Sequence, residues 1–366
     1  MKRFNTYLFI GFGLIGGSIA RALRSYDKDI KIFAWARHRE KIEPALNDGT
    51  IDGIADSPLS HLDKADVIFL CAPTLSNIEN LKAIAPMVSE DTLITDVGSV
   101  KGDIQAAADE LGIASHFLGG HPMTGRETTG YASSDAMILE NAYYLLTPSE
   151  ETRSEFTEAM TELVKKIRSI PLIVSPDEHD YATAAISHVP HLIAAALVNT
   201  VKNADNEECF MKTIAAGGFK DITRIASSDP SMWESICRSN TANIRSVLKK
   251  YSDELARIDE ILETGDFDRI GELFKESGSY RSRMSDRRTS AIPRLYILYV
   301  DIPDEAGEIA MVATLLAASA ISIKNIGITH NRELAEGALG IAFYDEASMK
   351  AAIPVLERHN YRVILK

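Results

Sequence analysis

The chain has 366 residues, 45% hydrophobic and 25% charged, which is ordinary for a globular protein and excludes disorder, collagen or coiled coil as a reading of the whole. At about 150 residues per domain, the length predicts two or three domains. A formal charge of −13 gives no global attraction to nucleic acid or membrane, so an anionic substrate needs a local basic pocket.

The cysteines are Cys71, Cys209 and Cys237, with no C-x-x-C spacing. A disulfide framework or a cysteine zinc site is therefore not expected, and a reducing, cytoplasmic setting fits. Lys2 and Arg3, the apolar run 7–20 and Ala20-Arg21-Ala22 imitate a signal peptide with its cleavage site. Gly11, Gly13, Gly16 and Gly17 would weaken an apolar helix, so a buried strand and glycine turn is the preferred reading. No other segment is expected to be long and apolar enough to span a bilayer.

Residues 6–10 read as a strand and 17–25 as a helix. Strands at 30–35, 67–72 and 93–97 alternate with helices at 76–87 and 101–111, the pattern of a parallel sheet covered on both faces. Runs at 143–146 and 172–174 can extend that sheet. Gly11-Phe12-Gly13-Leu14-Ile15-Gly16 is G-x-G-x-x-G at the first strand–helix turn. Gly11 permits the tight turn, Gly13 lets a pyrophosphate approach the backbone, and Gly16 lets the helix pack on the strand. Leu14 and Ile15 open a helix whose free N–H groups suit phosphates. About twenty residues on, an acidic side chain would bind an NAD ribose. Residues 34–39 read AWARHR, with no carboxylate. Arg37 and Arg39 instead suit a 2′-phosphate, so NADP is favoured and NAD is the alternative.

From residue 175 the pattern becomes helical. Ser175-Pro176-Asp177-Glu178 carries a capping serine, a proline at the first helical position and a glutamate at the third. Helical periodicity continues through 191–201, 214–226 and 230–262. Asp229-Pro230 repeats the cap-then-proline signal, and no strand is expected before 280. Residues 277–290 are polar, with four arginines against one aspartate, and read as a linker. A strand at 294–302, helix at 308–319, strands at 321–329 and 338–344, helix at 346–359 and strand at 361–365 then give βαββαβ, the ferredoxin-like order. The expected architecture is an α/β Rossmann-like nucleotide-binding domain (1–175), an all-α substrate and dimerisation domain (176–278), a linker (279–290) and a βαββαβ domain (291–366).

Polar clusters interrupt these segments. They are TDVGSVK (95–101), GGHPMTG (119–125), SHVPH (187–191) and AAGGFKDITRIASSDPSMW (215–233). With GFGLIGGS (11–18), DIPDEAGEI (301–309) and ISIKNI (321–326), they resemble the prephenate dehydrogenases of tyrosine biosynthesis that carry a C-terminal ACT domain. The resemblance spans essentially the whole chain. It implies oxidation of a cyclohexadienol at its hydroxyl carbon, with loss of carbon dioxide to leave a phenol. It implies that His121 accepts the hydroxyl proton, a task suited to a neutral histidine near pH 7. Ser99 would orient His121 or touch the hydroxyl, or cap the following helix.

By the same resemblance, Arg224 grips a substrate carboxylate and His191 contacts the side chain, while Glu127 gates the pocket. His188 would align its neighbours. Trp233 would approach a neighbouring subunit's pocket in a homodimer, or pack as a core aromatic. Arg126 departs from the family pattern. A second cation there would favour the pyruvyl group of prephenate over the ammonium of arogenate. In the terminal domain Asp304, Ala306, Gly307 and Asn325 match positions that hold an amino-acid effector, which implies feedback inhibition by tyrosine. His179, Asp180, His188 and His191 match no zinc spacing, so no metal is expected. Arogenate dehydrogenase, a β-hydroxyacid dehydrogenase and a catalytically silent sensor are the competing readings.

Overall fold

The computed structural model describes residues 3–126, 128–285, 296–303, 305–329 and 338–365. The chain divides into two units, residues 1–272 and 273–366. The first is built on eight strands: β1 (Thr6–Ile10), β2 (Lys31–Trp35), β3 (Gly53–Ile54), β4 (Val67–Leu70), β5 (Leu93–Asp96), β6 (Phe117–Pro122), β7 (Tyr143–Thr147) and β8 (Ile170–Ile173). They lie in the order β3-β2-β1-β4-β5-β6-β7-β8. Every pair is parallel except β6–β7.

The order reverses between β1 and β4, and in open sheets of this kind ligands bind in the crevice at that point. The N-terminal apolar run is β1, with Leu8, Phe9 and Ile10 fully buried, so this segment is a core strand. Two strands were not expected, the two-residue β3 and β6. The run FLGGHP pairs as β6, although its two glycines are poor strand formers. Gly120 is required there, because a Cβ at this position would lie 2.7 Å from the backbone oxygen of Asp96.

Helices follow from residue 176. Ser175 accepts from the Glu178 N–H at 3.2 Å, and Glu178 Oε2 accepts from the Ser175 N–H at 3.1 Å, completing the anticipated capping box. Pro176–Thr183 then runs through a π-helical turn, Ala184–His188, into Val189–Ala204. This corrects one expectation. Beyond the N-terminal run no segment was expected to be long and apolar enough to span a bilayer, yet Pro176–Ala204 continues through Pro190 as a 29-residue run that meets both criteria by length and composition. Only 22% of its most apolar stretch is buried within the protomer. The stretch 230–262 is two helices, Pro230–Ser239 and Thr241–Thr264, separated by Asn240. Phe267–Ser285 is also helical, so the first part of the polar 277–290 stretch belongs to a helix.

The second unit contains β9 (Tyr296–Asp301), β10 (Ile323–Thr329), β11 (Ala338–Phe343) and β12 (Arg362–Leu365). Helices Glu308–Ala318 and Glu346–Glu357 connect them. The sheet order β10-β11-β9-β12, antiparallel throughout, is that of a ferredoxin-like βαββαβ unit. Its core is Leu298, Val300, Val312, Leu316, Leu339, Ile341, Phe343 and Leu356, all fully buried.

Candidate active site

The glycine turn joins β1 to the helix Leu14–Tyr26. Gly11 has φ +83°, a left-handed conformation, and a Cβ there would lie 2.7 Å from the Ala72 backbone nitrogen. Around the Gly13 Cβ position the space is open. No side chain caps the helix and no acidic residue occupies its first turn, so its N–H groups are available to an anion. These features fit a dinucleotide pyrophosphate. Gly11 N–H donates to the Trp35 carbonyl at 2.8 Å, which sets the end of β2 beside the turn. Arg37 and Arg39 follow there and are exposed, with Arg39 3.4 Å from Asp56.

A cavity of about 550 Å³ opens beside this turn. It is lined from the nucleotide side by Leu14 and Ile15, from the end of β5 by Ser99, and from β6 by His121. Arg126, His188, His191, Arg224 and Trp233 complete the predicted set. Residues as far apart in sequence as Leu14 and Trp233 thus meet around a volume suited to a small ligand. Glu127 lies outside the described residues.

His121 is carried at the carboxyl end of β6. Burial, reinforced by His179, Lys101 and His188, holds its imidazolium well below the ordinary histidine range. Its Nδ1 is 2.8 Å from His179 Nε2, and His179 Nδ1 is 2.8 Å from Asp180 Oδ1. The Asp180 carboxylate also accepts from the Lys101 N–H at 2.7 Å and the Gly102 N–H at 2.8 Å, at the start of the helix Gly102–Glu110. Sequence reasoning weighed His179 and Asp180 only as metal ligands. Among the described residues, no group of three or more His, Cys, Asp or Glu side chains is placed to hold a metal.

The strand under His121 is held by a buried ion pair that the sequence reading also left out of the site. Lys101 is fully buried and its Nζ donates to Asp96 and, at 2.8 Å, to the Gly120 carbonyl. Asp96 in turn accepts from Gly98 N–H at 2.8 Å and Gly120 N–H at 3.2 Å. Burial presses the Lys101 ammonium below its ordinary range, and Asp96 opposes that pressure. Both residues stand in the TDVGSVK cluster, which was a legible signal.

His191 Nδ1 donates to the Ser187 carbonyl at 2.8 Å across the π turn, leaving its Nε2 as an acceptor in the neutral ring. Its ring packs against Trp233, with centroids 4.2 Å apart. Trp233 therefore lines this protomer's own cavity, turned there by the helix Pro230–Ser239 and its Asp229 cap. His188 is buried, with its pKa pushed down to about 4 by burial, and its Nδ1 is 3.2 Å from Asn240 Nδ2. Arg126 lines the cavity, but its guanidinium is bound to Asp135 at 2.9 Å. In the other unit Gly307 has φ +102° at the start of its helix, and Ala306 and Asn325 are exposed. Asp304 lies outside the described residues.

A doubly wound sheet with a dinucleotide turn, opening on a cavity that presents a partly buried histidine held toward its neutral form, defines a nicotinamide-linked oxidoreductase. The family model for the prephenate dehydrogenase nucleotide-binding domain matches residues 19–170, and that for the prephenate dehydrogenase dimerization domain matches 175–276. The chain belongs to the prephenate dehydrogenase family. A prephenate dehydrogenase from Bacillus subtilis is 38% identical over 355 residues, 96% of each chain. One from Lactococcus lactis is 35% identical over 358 residues, covering 96% of this chain and 97% of that one. The crystal structure of prephenate dehydrogenase from A. aeolicus, in complex with hydroxyphenyl propionate and NAD+, matches with a TM-score of 0.73 at 30% identity. That match covers 77% of this chain and 99% of the other.

Proposed function

We propose that the chain oxidises and decarboxylates prephenate to 4-hydroxyphenylpyruvate, with His121 as the group that takes the hydroxyl proton. One observation carries this reading: a single cavity collects the nucleotide turn, Ser99, His121, His191 and Arg224. A nicotinamide cofactor held at the Gly11, Gly13 and Gly16 turn would supply the acceptor for the hydride of the hydroxyl-bearing ring carbon. As that carbon becomes a carbonyl, its O–H proton passes to His121, a transfer worth roughly 10²–10⁴-fold. The C–C bond to the ring carboxylate then breaks, its electron pair enters the ring, and carbon dioxide leaves. The resulting phenolate oxygen recovers the proton from His121. Ser99 orients the hydroxyl. Arg224 and His191 read the carboxylate and carbonyl of the side chain, and Glu127 gates the entrance.

Arg37 and Arg39 favour NADP over NAD, since each is exposed beside the expected ribose position. The low burial of the apolar run Pro176–Ala204 within the protomer supports a homodimer formed through the helical domain, as the matched dimerization model implies. Trp233 and His188 serve the substrate cavity. The βαββαβ unit is read as an ACT domain in which Asp304, Ala306, Gly307 and Asn325 bind tyrosine as a feedback inhibitor. A cytoplasmic setting follows from the same biosynthetic reading. Arogenate is the second substrate reading, and one observation favours it. The Arg126 charge is matched by Asp135, which removes the repulsion that would exclude an ammonium group.

The test is initial rates of nicotinamide reduction with prephenate or arogenate, crossed against NADP and NAD, with and without tyrosine. The expected result is fast turnover of prephenate, preference for NADP and inhibition by tyrosine. His121→Asn is expected to bind cofactor normally and lose about 10²–10⁴-fold in kcat. Wild-type turnover in that variant would remove His121 from the reaction.

A further inference from the structure

The hydrogen-bond chain behind His121 has only one consistent direction. The Asp180 carboxylate accepts two backbone N–H groups, from Lys101 and Gly102, at the positive end of a helix. Its Oδ1 takes the Lys101 N–H and its Oδ2 the Gly102 N–H, so the carboxylate stands as an acceptor at both oxygens. His179 must therefore carry its proton on Nδ1, the nitrogen 2.8 Å from Asp180. Burial keeps the His179 ring neutral, so its Nε2 is bare and accepts. The proton in the 2.8 Å contact between the two histidines then belongs to His121 Nδ1. A neutral ring has one such proton, which leaves His121 Nε2 as an acceptor.

We infer that His179 and Asp180 are positioning residues that fix the tautomer of His121, leaving Nε2 unprotonated to receive the substrate hydroxyl proton. The inference rests on the reading of His121 as the proton acceptor. The chain also supplies a stabilised position for the charge that forms. Once Nε2 is protonated, the Nδ1–H donates more strongly to His179, which is held in turn by Asp180. The titratable groups around His121 are His179 and Asp180 on Pro176–Thr183, Lys101 with its partner Asp96, and His188 on the π turn. Asp180 thus ties the helical region to the nucleotide-binding sheet at the reacting histidine. No spacing in the sequence announces this, because His121 and His179 are 58 residues apart.

Three variants of the full-length enzyme test the inference. In Asp180→Asn the amide can donate to His179 Nδ1, which reverses the chain and moves the His121 proton onto Nε2. Its kcat near pH 7.5 is expected to fall about 10²–10⁴-fold, with cofactor affinity and substrate KM within a few-fold of wild type. In His179→Leu no acceptor faces His121 Nδ1. A comparable loss is expected there, and the acid limb of the kcat–pH profile moves to lower pH. In His179→Gln the side-chain oxygen can accept from His121 Nδ1, and most of the activity and the original pH limb are expected to return. If Asp180→Asn does not fold, the Leu and Gln pair decides alone. Wild-type kcat in His179→Leu, or equal activity in the Leu and Gln variants, would overturn the inference. So would losses confined to KM, cofactor binding or thermal stability with an unmoved pH profile. His121→Asn separates the two levels. If that variant is inactive while His179→Leu is normal, only the positioning role fails. If His121→Asn itself turns over normally, the proton-acceptor reading fails and this inference falls with it.

Discussion

At the scale of single residues, the site depends on close backbone approach as much as on titratable groups. Gly120 sits beside His121, with the Asp96 carbonyl where a side chain would go. A backbone atom cannot swing away as a flexible side chain does. Gly120→Ala is therefore expected to displace β6, at a cost of about 1–3 kcal/mol in stability. A shift of about 1 Å at His121 would also cost about 10²-fold in kcat. Thermal melts with steady-state kinetics check this, and an unchanged melting point with full kcat would contradict it. Gly13 is the useful contrast. Its Cβ position is open, so Gly13→Ala should leave the melting temperature unchanged and raise KM for the nicotinamide cofactor.

At the scale of elements, β5 and β6 are held at their carboxyl ends by one buried ion pair. Asp96 and Lys101 are 1% and 0% exposed, and together they engage Gly98 and both polar backbone groups of Gly120. The pair connects the Ser99 turn to the strand that carries His121. Removing one partner leaves an uncompensated buried charge, which typically costs about 3–5 kcal/mol. Lys101→Met is expected to lose stability on that scale in urea titration, and kcat with it. Adding Asp96→Asn should restore part of the stability, because it removes the orphaned charge while its side-chain oxygen still accepts. No recovery in the double variant would show that packing, not charge, dominates. The π turn Ala184–His188 is a second such device. It aligns the Ser187 carbonyl with His191 and sets His188 against Asn240 without ending the helix at Pro190.

At the scale of the whole molecule, several histidines are neutral because they are buried, and this makes folding pH-dependent. His116, His121, His179 and His188 are all shifted downward, with burial the largest cause in each. Such a group binds fewer protons in the folded than in the unfolded chain. Stability is therefore full above the unfolded histidine pKa of about 6.5 and falls as pH drops toward the folded value. For His188 that window runs from about 6.5 down to about 4, and the loss is on the order of 3 kcal/mol. Urea unfolding at pH 7.5, 6 and 5 should show the midpoint falling steadily. A midpoint unchanged between 7.5 and 5 would mean that these rings are not neutral because of burial.

The sequence alone determined the local and the periodic. The glycine turn, the alternating strands, the Ser175 and Asp229 caps and the βαββαβ order all depend on neighbours within a few residues. Local propensity and hydrophobic period report them directly. The motifs around Ser99, His121, His191 and Arg224 were legible because rare residue types interrupt those patterns. Tertiary structure decided the rest. It turned FLGGHP into a strand, since β6 forms only between β5 and β7. It bound Arg126 to Asp135 and placed Trp233 against His191. It also joined His121, His179 and Asp180, where a donor's direction is set by partners distant in sequence. Hydrogen-bond direction and steric approach are properties of groups brought together by folding, and no local period encodes them.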